Sequence, residues 1–152
     1  MQKITPFLWF DGRAKEAMDY YITIFKNSRI INSKTIDTPQ GPMVWGSFSL
    51  EGQEFHALDG GPMFQFSQAI SFYVNCETQA EVNELWEKLS DGGEQQMCGW
   101  LKDKFGISWQ IIPLQLTQYM HDPDPIKAKR VMQAMLQMKK IEIADIEAAY
   151  QG

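Results

Sequence analysis

The amino-acid sequence predicts an α+β chain built from two βαβββ modules and a helical tail. Three observations predict it. An apolar strand, a polar break and an amphipathic helix occur in that order twice, 66 positions apart, so that Ile4 falls on Ile70, Phe7 on Tyr73, Leu8 on Val74, Ala14 on Ala80 and Tyr20 on Trp86. Each copy is followed by three segments with the composition or alternation of strands. Beyond Pro113 the spacing turns helical. Solenoid repeats have shorter periods and need roughly three copies, so the better account is a duplicated module whose copies close on each other and place a ligand at their seam.

In the first copy, Ile4 to Phe10 reads as a strand, Asp11-Gly12 as a break and Arg13 to Phe25 as a helix. Ser28 to Asp37 carries Ile30, Ile31 and Ile36 among polar residues, and Thr38-Pro39-Gln40-Gly41-Pro42 forces a loop. Met43 to Leu50 alternates Val44, Gly46, Phe48 and Leu50 against Trp45, Ser47 and Ser49, the period-2 mark of a strand. Glu51-Gly52 turns the chain into Gln53 to Leu58, which Asp59-Gly60-Gly61-Pro62 stops.

The second copy has shorter connections: Ile70 to Cys76, a helix from Gln79 to Leu89, then Glu94 to Met97, Gly99 to Lys102 and Ile107 to Pro113. Asp103-Lys104-Phe105-Gly106 reads as a tight hairpin with glycine where φ is positive. The last strands align at an offset of 54, placing His56 over Gln110 and Phe55 over Trp109. Leu116 to Met120 makes a short helical turn, and Asp124 with Pro125 marks a helix start. Ala128, Val131, Met132, Met135 and Met138 form an apolar stripe, and Asp145 is placed as the cap of a last stub to Tyr150. The organisation is one domain over 1–152, with modules at 1–62 and 68–114 and a tail at 115–152.

A net charge of −5 with acids and bases interspersed gives no footprint for nucleic acid or an anionic membrane. No apolar run approaches the roughly 20 residues of a membrane span, and the first residues lack a signal-peptide core, so a cytoplasmic location is expected. Cys76 and Cys98 form no CxxC and read as reduced thiols.

Several strings, in this order and spacing, resemble the PhnB-like family of the vicinal oxygen chelate superfamily, the group of glyoxalase I, bleomycin-resistance proteins and extradiol dioxygenases. They are Ile4-Thr5-Pro6-Phe7-Leu8-Trp9-Phe10-Asp11-Gly12, Ala57-Leu58-Asp59-Gly60-Gly61-Pro62, Asp103-Lys104-Phe105-Gly106-Ile107-Ser108-Trp109-Gln110 and the tail from Asp122-Pro123-Asp124-Pro125 to Tyr150-Gln151-Gly152. The resemblance implies an incomplete eight-stranded barrel-like cleft, four strands from each module. It also implies metal ligands, where a member uses metal, on the first and fourth strands of each module. Those positions fall near Pro6, His56, Phe72 and Gln110, and neither first strand offers a His, Cys, Asp or Glu. One imidazole and one amide are too few for Zn²⁺ or Fe²⁺, so no cofactor and no tightly held metal are expected. Family members often carry a ubiquinone-pathway methyltransferase label, yet no Gly-rich strand-to-helix turn is present to hold a nucleotide-like methyl donor.

His56 is the leading candidate for a general base or an oxyanion donor, against a plain barrel-lining role. Trp9, Trp100, Trp109 and Gln110 complete the expected ligand-binding set, with Trp100 and Trp109 foremost. Asp59 and Asp103 read as Asx-turn carboxylates, Asp11 and Glu77 as helix caps and His121 as a surface or capping residue. The expected function is small-molecule binding by a homodimer with an aromatic cleft. One rival is a metal-dependent lyase, isomerase or dioxygenase using His56 with Gln110 and a further ligand such as Glu54. The other is a structural module whose Met-rich tail docks a partner.

Overall fold

The computed structural model describes residues 2–152. The chain forms two compact units, Met1–Phe66 and Ser67–Gly152. The first holds β1 (Phe7–Phe10), α1 (Ala14–Ile24), β2 (Ser28–Thr38), β3 (Gly41–Leu50) and β4 (Gln53–Asp59), with strand order β1-β4-β3-β2. Only β1 and β4 run parallel; the other neighbours are antiparallel. The first strand is shorter than its apolar run, because Pro6 has no N–H for a ladder and offers only its carbonyl, which accepts from the His56 backbone N–H at 2.9 Å.

Helix α1 packs Ala14, Ala17, Met18, Tyr21 and Ile24 on one face of the sheet. Gly46 permits that approach: a Cβ there would lie 2.8 Å from Asn32 O and 3.0 Å from Met18 Cε. Tyr21, Phe48 and Phe55 stack in series beneath the helix, at centroid distances of 6.1 and 5.1 Å. Glu51 (φ 50°) and Gly52 (φ 84°) make the two-residue turn from β3 to β4, a conformation that matches strand twist.

The second unit holds β5 (Ser71–Cys76), α2 (Gln79–Ser90), β6 (Glu94–Gln95), β7 (Trp100–Lys102) and β8 (Ser108–Pro113), in the order β5-β8-β7-β6. Again only the outer and central pair, β5 and β8, is parallel. The tail follows as α3 (Leu114–Met120), α4 (Pro125–Met135) and α5 (Ile143–Gln151). The βαβββ order therefore occurs twice, as the repeat predicts. The strand offsets agree with the ladders, since Phe7 pairs with His56 and Tyr73 with Gln110.

The helix equivalences need correction. Ala14 is buried but Ala80 is exposed. The buried set of α2, Val82, Leu85, Trp86 and Leu89, matches Ala14, Ala17, Met18 and Tyr21 two residues further along than the strand offset. Strand and helix align separately because each helix turns whichever stripe is apolar onto its sheet.

The caps are also redistributed. Asp59 closes no local turn: its Oδ1 accepts from Ala14 N at 2.8 Å, at the start of α1, and its Oδ2 accepts from Val44 N at 3.1 Å. Asp11 therefore does not cap α1. At α2, Thr78 accepts from Glu81 N and Glu81 accepts from Glu77 N, a local capping box. Asp124 caps α4 as expected, accepting from Ile126 N at 2.9 Å. Asp145 does not cap α5, whose first N–H, on Ile143, is held by Gln79 Oε1 at 2.7 Å.

The Met-rich stripe is largely consumed within its own unit. Val131 is fully buried with Ile112, Leu116, Ile141 and Ile146, and Met135 and Met138 pack against that cluster. Arg130 fastens the end of α5 by donating to Ala149 O and Tyr150 O. Among the described residues no helix is long and apolar enough to cross a membrane.

Candidate ligand site

Successive strand residues face opposite sides of a sheet, and the helices decide which side is core. In the first unit β4 sends Phe55 and Ala57 towards α1 and His56 and Leu58 to the other, open face. His56 lies there beside Phe7, ring centroids 5.8 Å apart, and opposite Ser47. Among the described residues of its unit the imidazole makes no hydrogen bond. Trp9 shares the open face but is pinned: its Nε1 donates to Gly61 O at 2.9 Å, and Phe64 meets its ring edge-on at 5.0 Å. Gly60 is required there, since a Cβ would overlap the indole. Phe7 and Trp45 each remain 50% exposed.

In the second unit Tyr73, Trp100, Gln110 and Ile112 share the open face and line a cavity of about 230 Å³. Gln110 Nε2 donates to Ser71 Oγ at 2.9 Å, which orients the amide. Of the expected residues, Trp100 and Gln110 are thus brought together at the cavity.

Trp109 is not at the cavity. It is 3% exposed, packs edge-on against Phe72 and donates its indole N–H to Asp103 Oδ2 at 2.8 Å. As the chain neighbour of Gln110 it must point the opposite way, into the core under α2. Asp103, itself buried, closes its Asx-turn as expected by accepting from Phe105 N and from Ile107 N.

The other cavity wall was not foreseen. Leu116, Thr117 and Met120 from α3, His121 at the C-terminal cap of that helix, as expected of a surface or capping residue, Met135 from α4, and Cys98 complete the lining. Thr117 Oγ1 and Tyr73 OH lie 3.1 Å apart, a contact across 44 residues of sequence that local patterning does not signal. Cys98 holds φ 62°, unusual for a residue with a Cβ, and its N–H reaches Met138 O at 2.7 Å, tying the turn to the tail.

The donor set does not fit a metal held as the resemblance describes. The first-strand neighbours of His56 and Gln110 are Phe7 and Tyr73, one residue beyond the expected Pro6 and Phe72. Phe7 carries no donor atom, and among the described residues no three His, Cys, Asp or Glu side chains cluster to hold an ion.

Residues 2–112 match the family model described as 3-demethylubiquinone-9 3-methyltransferase. Among solved structures, a PhnB protein from Bacillus cereus, whose description names the same methyltransferase, is 38% identical with a TM-score of 0.69, covering 74% of this chain and 99% of that one. Protein PA1353 from Pseudomonas aeruginosa is 21% identical with a TM-score of 0.61, covering 74% and 98%. The fosfomycin resistance protein FosX from Listeria monocytogenes, in complex with Mn(II) and sulfate, is 16% identical with a TM-score of 0.50, covering 72% and 89%, and shares the fold alone. No curated protein matches the chain.

Proposed function

The chain belongs to the family described as 3-demethylubiquinone-9 3-methyltransferase, the PhnB-like family of the vicinal oxygen chelate superfamily, and from that premise we propose that it binds a small organic molecule on the aromatic open faces of its sheets without a tightly held metal. The observation that carries this reading is the equivalent ladder pair in each unit. Phe7 beside His56 and Tyr73 beside Gln110 each set one polar side chain against an aromatic ring. An apolar wall with a few polar groups suits an organic ligand, whereas a tightly held metal needs at least three protein donors, and among the described residues no three His, Cys, Asp or Glu cluster.

Methyl transfer gains no support from the geometry. The N–H groups of a helix N-terminus are one place that could hold the carboxylate of a nucleoside-like methyl donor. The Asp59 carboxylate already occupies that of α1, and Thr78 with Glu81 caps that of α2.

His56 is the proposed anchor, a hydrogen-bonding group rather than a ligand to metal. A thermal-shift screen of metabolites, with and without divalent metals, should find stabilising compounds that do not require metal. His56→Gln should then weaken such a compound by about 1–3 kcal/mol, the range of a lost buried or charge-assisted hydrogen bond, and leave the melting temperature unchanged. Stoichiometric zinc, iron or manganese that vanishes in His56→Gln would overturn the reading in favour of a metal-dependent lyase, isomerase or dioxygenase.

A homodimer is the proposed assembly. It is supported by the apolar surface left on α4 and at its C-cap, where Ile126, Met132 and Leu136 stay exposed, and by the half-exposed rings of Phe7 and Trp45. Sedimentation at micromolar concentration should give twice the 17.5 kDa chain mass. A pure monomer removes the idea.

A further inference from the structure

We propose that the helical tail converts the open face of the second unit into a pocket for a neutral, one-ring-sized molecule bearing a hydroxyl group, such as a phenol, and that His121 reads that hydroxyl. The inference rests on the small-molecule-binding reading and names a ligand class for it. The family match ends at Ile112, yet half of the cavity wall comes from residues after it: Leu116, Thr117, Met120, His121 and Met135. The selectivity of this pocket therefore depends as much on the tail as on the sheet.

Size sets the first limit on the ligand. A dry cavity of roughly 150 Å³ holds benzene, so a pocket of about 230 Å³ that is open on one side has room for a substituted ring. Charge sets the second. Among the described residues no Asp, Glu, Lys or Arg lines the cavity, so the charge of an ionised ligand would find no partner there. The two methionines make a wall that adapts to differently substituted rings.

Hydrogen-bond direction sets the third. His121 Nδ1 lies 2.8 Å from Thr117 O. A carbonyl can only accept, so Nδ1 carries the hydrogen and Nε2 of the neutral ring presents a lone pair. The pocket thus asks for a ligand that donates. Tyr73 and Thr117 share one hydrogen between their two hydroxyls, which leaves the other for the ligand's oxygen. A phenolic or alcoholic O–H satisfies both demands at once; a bare ring satisfies neither.

The test titrates phenol and toluene into the full-length protein labelled at its methionine methyl groups. Phenol should shift the Met120 and Met135 signals, leave Met18 and Met63 of the first unit unmoved, and bind roughly three- to tenfold more tightly than toluene. His121→Phe should erase that preference while toluene still binds. Met135→Trp should fill the cavity and abolish both. Because Met135 also packs on the tail core, the methyl-shift map of the unsubstituted protein stands as the independent readout. Phenol shifts confined to other methyl groups, or equal affinity for phenol and toluene, would overturn the proposal. The broader reading fails separately, if no metabolite in the screen stabilises the protein at all.

Discussion

The two modules share a plan and differ in how they are fastened. In the first, one carboxylate at the end of β4 reaches back to the start of α1 and across to β3, so Asp59 joins three elements separated by up to 45 residues. In the second, α2 is capped by its own first turn, and the buried carboxylate, Asp103, serves the β7–β8 hairpin and the indole of Trp109 instead. The strands differ as well. β2 and β3 span 11 and 10 residues, whereas their counterparts β6 and β7 span 2 and 3. The shorter sheet is completed by the tail: Cys98 N and Gly99 N donate to Met138 O and Lys139 O, and Gln79 bonds Ile141 O and Ile143 N. Duplication thus supplied a common frame, and each copy solved its orphan backbone groups with different side chains.

Removing these fasteners should show how far the modules differ. Asp103→Ala strands a buried indole N–H and two backbone N–H groups, and should cost about 3–5 kcal/mol, seen as a large fall in denaturant midpoint. Asp59→Ala removes a helix cap and one strand tie, and should cost about 2–3 kcal/mol. If Asp59→Ala proves the more damaging of the two, the contrast drawn between the modules is wrong.

Alkali should act through the second module. Burial, with the charge of Glu81 beside it, pushes the Cys76 thiol from an ordinary value of about 9 up to about 12. The folded state therefore holds its proton where the unfolded chain releases it. Its contribution to stability is intact below pH 9 and is lost progressively as pH rises towards 12. Urea unfolding across that window should steepen in pH dependence relative to Cys76→Ala. At pH 8 a thiol reagent should modify the half-buried Cys98 and spare Cys76; modification of both in the native state would contradict the assignment.

The smallest effect is expected at the local cap. Thr78→Ala loses one hydrogen bond, and should cost about 1 kcal/mol, or roughly 2–4 °C at this size. Thr78→Ser should restore it. A loss as large as that of Asp59→Ala would mean that α2 is no more self-sufficient than α1.

Element order, most boundaries and the duplication were legible in the sequence, because period 2, period 3.6 and the turn residues are local properties of a chain. Half of the site was legible too. His56 and Gln110 follow from the strand offsets, and Trp100 pairs with Gln110 across the β7–β8 ladder. Trp109 could have been excluded beforehand, since it adjoins Gln110 and a strand cannot send both to one face. Which face becomes core is settled only when a helix docks, and α2 docks on the side of Leu101 and Ile111.

The tail contribution lay beyond local reading. Nothing in the spacing of Thr117 points to Tyr73, because their meeting depends on where α3 leaves β8 and how Val131, Ile141 and Ile146 bury themselves against Ile112. Periodicity determined which residues would be strand and which helix. The choice of buried stripe, the long-range carboxylate ties and the closing wall of the cavity were decided only by packing, because burial free energy belongs to contacts between segments and not to any one of them.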